Sequence, residues 1–136
     1  MILACGEALI DMLPRRTAAG EAVFAPYPGG AVFNTAIALG RLGAQVGFFS
    51  GLSSDLFGQM LCQALEASNV DASTAHISVR PTTLAFVRLI DGHATYAFYD
   101  ENTAGRMLTE GDLPKTHADA LFFGGISLVG EPCGSA

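Results

Sequence analysis

An α/β fold is predicted by three features of the sequence. Strand and helix patterns alternate along the chain, a β-hairpin interrupts that alternation, and glycine-rich turns follow the apolar strand runs. Strand, helix, strand, helix is the order of a mainly parallel layer, to which the hairpin adds a small β appendage. In such layers ligands gather beyond the carboxyl ends of the strands. Asp11, the Gly29-Gly30 turn, the Gly51–Asp55 loop and Gly124-Gly125 are all expected at that edge.

Taken in order, ILACGEALI from Ile2 reads as one buried strand, with Asp11 emerging at its carboxyl end. AGEAVFAPYPGG alternates loosely and carries prolines, which suits an edge strand or lid segment. AVFNTAIALGRLG is helical: Phe33, Ile37 and Gly40 share a line, and Gly43 is placed to end the helix. AQVGFFSG follows as a short strand. Ser54 or Asp55 then caps a helix whose core face is Phe57, Met60, Leu61, Ala64 and Leu65. ASTAHIS is a short strand. TTLAFVRLI and ATYAFYD flank Asp91-Gly92, a dipeptide suited to the positive φ angles of a two-residue hairpin turn. TEGDLPKTHA reads as a polar loop or short helix capped by Asp112, and DALFFGG as another buried strand.

Composition narrows the function. Of 136 residues, 50% are apolar, enough for one domain with a real core. A net charge of −6 with seven scattered basic residues excludes a nucleic-acid backbone as partner. The opening MILACGEALIDMLP lacks a basic n-region, and Glu7 and Asp11 interrupt its apolar run. No run approaches the roughly 18–20 apolar residues of a membrane span. A cytoplasmic, membrane-free protein is expected, with Cys5, Cys62 and Cys133 as reduced thiols and no metal-ligand spacing among the three histidines. The chain stops at SLVGEPCGSA, just past a predicted strand where a further helix is due, so a larger protein is expected.

PGGAVFNTAIALG carries the chemistry. A dinucleotide site needs G-x-G-x-x-G directly after a strand, and G-G-A-V-F-N does not supply it. Two readings stay open. The pair merely turns the chain into the helix, or its bare backbone admits a neutral ligand to which Asn34 offers a donor and an acceptor. Asp11 is likewise either a solvated strand-end carboxylate or an acceptor of ligand hydroxyls.

PGGAVFNTAIALGRLGAQVGFFSGLSSDLFG, together with GEALIDMLP, FYDENTAGRML and ADALFFGGISLVGEP, resembles the phosphofructokinase-B (ribokinase-like) carbohydrate kinases, most closely their fructokinase branch. The resemblance spans essentially the whole chain. It implies a three-layer α/β/α fold with a mainly parallel sheet and an inserted β-lid, at about residues 14–27 and 82–100. Residues 1–136 would be the N-terminal part of one such domain. By that resemblance Asp11 binds sugar hydroxyls, and Gly29, Gly30 and Asn34 close over the sugar. Phe98 and Tyr99 are either an apolar wall against the sugar or plain hairpin packing. The implied lid excludes water and makes a homodimer contact.

The sequence departs from that family at Val32 and Ser53, and at Asp100, where many relatives carry arginine. Ala31, where members acting on ribose or sugar phosphates often carry a polar residue, favours a neutral ketohexose. ATP and Mg²⁺ are implied, but the family's Gly-Ala-Gly-Asp motif is absent, so no catalytic residue is assigned and the nucleotide half is expected elsewhere. Fructose is the substrate expected. 2-Keto-3-deoxygluconate, ribose and a nucleoside stay open, as do a non-catalytic sugar-binding fragment and, more distantly, a nicotinamide-dependent oxidoreductase.

Overall fold

The computed structural model describes residues 1–91 and 93–136. Its strands are β1 (Ile2–Gly6), β2 (Leu9–Arg16), β3 (Ala22–Gly29), β4 (Val46–Phe49), β5 (Gly51–Ser53), β6 (His76–Ser78), β7 (Leu84–Ile90), β8 (His93–Tyr99) and β9 (Ala120–Gly124). The α-helices are α1 (Ala31–Arg41) and α2 (Leu56–Ala67).

Three sheets result. A parallel sheet in the order β4-β1-β9 forms the base, with Ala4 opposite both Phe48 and Phe122. A four-stranded sheet in the order β3-β2-β7-β8 stands beside it, antiparallel except for the parallel β2/β7 pair. The short β5/β6 pair is also parallel. The architecture is an α/β fold with a parallel base, as the alternation of strand and helix patterns predicts. Ala4, Phe48, Phe33, Ala36, Leu61 and Leu65 form the main core between the base and the two helices. The opposite face of the base, through Leu3 and Phe49, meets Leu108.

The helices end as their residues dictate. Gly43 takes φ +84 and its N–H bonds to the Gly40 carbonyl, closing α1. Asp55 caps α2, its carboxylate accepting from the Gly58 N–H at 2.8 Å. Gly40 lies where α1 crosses the end of α2, since a Cβ there would overlap the Ser68 carbonyl.

Four expectations are corrected. ILACGEALI is two strands in two sheets, broken at Glu7-Ala8, so Asp11 is the third residue of β2 and not the end of the first strand. The Gly51–Asp55 stretch contains β5 and turns Asp55 inward. DALFFGG is not buried: β9 is an edge strand bonded only to β1, and Leu121 and Phe123 are about half exposed. The cap of the 3₁₀ turn Glu110–Asp112 is Thr109, whose N–H and hydroxyl both donate to the Asp112 carboxylate. In the hairpin turn Asp91 has φ +49, as the dipeptide predicts, while Gly92 lies outside the described residues.

Candidate sugar site

Asp11 and Gly29 meet because β2 and β3 are paired. The register sets Asp11 opposite Tyr27 and Leu9 opposite Gly29, which puts all four on one face of the sheet. A Cβ on Gly29 would overlap the Asp11 Oδ2, so only glycine lets the carboxylate lie against that backbone. Burial raises the Asp11 pKa above its ordinary 3.8. Among the described residues no side-chain hydrogen bond occupies this carboxylate, which leaves its lone pairs free for donors from outside the chain.

Gly30 follows with φ +111, a backbone conformation that an L side chain rarely adopts, and hands the chain to α1. Asn34 is exposed in the first turn, its N–H bonded to the Gly30 carbonyl at 2.9 Å. Val32, the unusual residue of this stretch, is fully buried. The space is made by glycine: a Cβ on Gly6 would come within 2.5 Å of the Val32 Cγ2.

Phe98 and Tyr99 part company. Phe98 is opposite Ala85, which is opposite Asp11, so Phe98 shares the carboxylate's face. Tyr99 takes the other face, where its ring meets Phe86 edge-on at 5.5 Å, and Phe86 meets Phe24 at 5.0 Å. Strand alternation therefore leaves only Phe98 of the pair able to wall a ligand beside Asp11.

Two groups, Glu7 and Arg106, were not singled out by sequence reasoning. Glu7, at the junction of β1 and β2, accepts from the N–H groups of Ala31 at 2.8 Å and Val32 at 3.3 Å. Its only sequence signal is that it interrupts an apolar run. Arg106 donates to Asp100 at 2.7 Å and to the Glu131 carbonyl at 2.9 Å, so the aspartate following the hairpin is already paired. Asp55 accepts from both the N–H and the hydroxyl of Thr82, tying α2 to the entry of β7.

A cleft of about 320 Å³ is a different place. Its walls are apolar side chains of the base sheet, including Leu3, Phe49, Leu121 and Phe123, with Glu7 and Arg106 also lining it, and Asp11 and Asn34 do not line it. The candidate site is at Asp11, where an uncommitted carboxylate lies against the bare turn that leads into α1, the helix that carries Asn34. The nucleotide and its metal do not fit the described residues. No group of three His, Cys, Asp or Glu is arranged to hold an ion among them, and the head of α1 is already occupied by Glu7. Nor does any described helix have the length and apolarity to cross a membrane.

Comparison with known proteins gives a consistent picture. The chain is 62% identical over 136 residues to a fructokinase of Rhizobium leguminosarum bv. trifolii, covering 98% of this chain but 42% of that protein. It superposes on the crystal structure of fructokinase from Xylella fastidiosa with a TM-score of 0.89 and 29% identity, covering 98% of this chain and 45% of that one. A structure of Vibrio cholerae O395 fructokinase with fructose, ADP and calcium bound gives 0.83 and 28%, covering 98% and 43%. The chain thus spans less than half the length of these relatives. The family description "pfkB family carbohydrate kinase" matches residues 1–133, and on that match, with the fold and the Asp11–Gly29 geometry, the chain belongs to the pfkB family of carbohydrate kinases.

Proposed function

We propose that these residues are the sugar-binding part of an ATP-dependent kinase whose acceptor is a neutral sugar, fructose in the first place. The observation that carries this reading is the Asp11 carboxylate lying uncommitted over Gly29, at the bare Gly29-Gly30 turn. A carboxylate accepts two hydroxyl donors in charge-assisted bonds, and vicinal hydroxyls on a sugar supply them. Asn34 adds a donor and an acceptor. Phe98 offers an apolar surface on the same face of the sheet. Among the described residues no cluster of basic side chains stands at this site to match a phosphorylated substrate.

The four-stranded sheet is the lid in this reading. It keeps water from the sugar hydroxyl that is to be phosphorylated. Its exposed Phe24, Ile90 and Tyr99, on the face of the sheet away from Asp11, form an apolar surface suited to pairing with the lid of a second copy. ATP supplies the phosphoryl group and Mg²⁺ neutralises its charge, both held outside the described residues. The relative from Vibrio cholerae, solved with fructose and ADP, supports this assignment of substrates. Such chemistry belongs in the cytoplasm, where ATP is abundant.

The test is phosphorylation by the full-length polypeptide across fructose, 2-keto-3-deoxygluconate, ribose and a nucleoside. Fructose is expected to give the highest kcat/KM; turnover confined to another member of the panel would overturn the substrate, and turnover of none the kinase reading. Asp11→Ala is expected to lower kcat/KM at least about a hundredfold, the loss of two charge-assisted bonds. Near-parental kinetics would remove Asp11 from the site. Because burial raises the Asp11 pKa and the bound form needs its charge, sugar KM is expected to rise as pH falls, beginning above the ordinary carboxylate value of 3.8.

A further inference from the structure

We propose that Glu7 is a positioning residue of the sugar site, holding the Gly29-Gly30 turn and the head of α1 in the geometry that presents Asp11 and Asn34. The proposal rests on the sugar-kinase reading above. A helix leaves its first N–H groups without partners and carries partial positive charge at that end. The remedy is normally local, a Ser, Thr, Asp or Asn at the cap position. Here that position is Gly30, without a side chain, and the first turn of α1 contains no acidic residue. The anionic cap comes instead from Glu7, twenty-four residues away from Ala31, whose Oε1 accepts from Ala31 and Val32.

The backbone around the carboxylate is shaped to receive it. Gly30, at φ +111, passes so close that a Cβ would sit 2.7 Å from the Glu7 carbonyl oxygen and 3.2 Å from its Cγ. On the other side is Gly125, at φ +76, where a Cβ would overlap the carboxylate itself. Three segments thus converge on one side chain: the junction of β1 and β2, the head of α1, and the residue following β9. The second oxygen, Oε2, is buried and has no hydrogen-bond partner among the described residues. An acceptor is seldom left in that condition, because its desolvation is uncompensated.

A remote cap has a chemical advantage in a sugar site. A serine or aspartate at position 30 would cap α1 directly, but its Cβ would fall on the Glu7 backbone and it would be strained at that φ. Supplying the charge from the junction of β1 and β2 fixes the turn without adding a side chain to it. Glu7 acts through that backbone, since Gly29 is the surface against which the Asp11 carboxylate lies and the first turn of α1 carries Asn34.

The experiment uses Glu7→Gln and Glu7→Ala in the full-length polypeptide, reading sugar KM, ATP KM, Tm and amide exchange at Ala31 and Val32. Glu7→Gln keeps the shape and loses the charge, so it guards against a Glu7→Ala variant that does not fold. Sugar KM is expected to rise roughly tenfold in Glu7→Gln with ATP KM unchanged, and exchange at the two amides to quicken. Sugar KM within about twofold of the parent would overturn the proposal. So would sugar and ATP KM rising together with a fall in Tm, the signature of a purely structural role. If the parent phosphorylates no sugar, the kinase reading fails by itself. Amide exchange then decides the cap alone, with unchanged rates at Ala31 and Val32 overturning it.

Discussion

The base sheet and the lid sheet solve opposite problems with the same apolar residue types. In the base, β4 is buried along its whole length, and Phe48 is packed between β1 and α1, edge-on to Phe33 at 5.7 Å. In the lid, every described residue of β8 is exposed, although it is as aromatic as any strand in the chain. Strand β4 derives its stability from burial, whereas β8 relies on its hydrogen-bond ladder to β7 and on contacts between rings. Apolar composition therefore does not by itself identify a core. In the lid it marks surface that the proposed function assigns to a sugar on one face and to a second copy on the other.

The largest effect that would sharpen this contrast is in the base. Phe48→Ala should cost about 3–5 kcal/mol by removing a fully buried ring, read as a loss of denaturation free energy. A cost near that of an exposed lid residue would erase the distinction. Next comes the seam between sheet and site. Gly29→Ala should displace the Asp11 carboxylate and raise sugar KM more than about tenfold, with a small change in Tm because the φ of Gly29 is not in the left-handed region. Unchanged sugar affinity would separate Asp11 from the turn.

Asp55→Ala probes the tie between the layers. It removes the cap of α2 and the bonds from Thr82, and should cost about 1–2 kcal/mol in thermal or chemical unfolding. Burial pushes the Asp55 carboxyl up, but the hydrogen bonds from Thr82 and Gly58 outweigh it and hold the pKa below the usual 3.8. For a depressed carboxylate the contribution is present above the unfolded value and is lost as pH falls through the folded one. The parent should therefore lose stability below about pH 4 faster than the variant. Equal acid sensitivity would break this account. The smallest effect on stability is expected in the lid. Ile90→Ser should change unfolding free energy by less than about 0.5 kcal/mol while shifting the protein toward monomer in sedimentation velocity. A large loss of stability with no change in assembly would make the lid face part of the core.

Much of this was legible in sequence because it depends on neighbours along the chain. The 3.6-residue pattern located α1 and α2, Asp55 announced a cap, and Asp91-Gly92 announced the hairpin. The ordered segments from GEALIDMLP to ADALFFGG carried the family. Glu7 was not legible, because nothing local distinguishes a carboxylate at a strand break from one in water. Tyr99 was not separable from Phe98 as a wall, because alternation assigns opposite faces to the pair but does not say which face holds Asp11.

What the sequence determined by itself is therefore the local alphabet: the helices, the hairpin, the glycine turn and the residue types that suit a sugar. The tertiary structure alone decided that Ile2–Ile10 divides between two sheets, that Asp11 lies over Gly29, that Phe98 faces the site, and that Glu7 caps a helix twenty-four residues away. The reason is physical. Periodicity and capping are set by adjacent residues, whereas sheet membership, register and the reach of a remote carboxylate are set by partners that the chain meets only on folding.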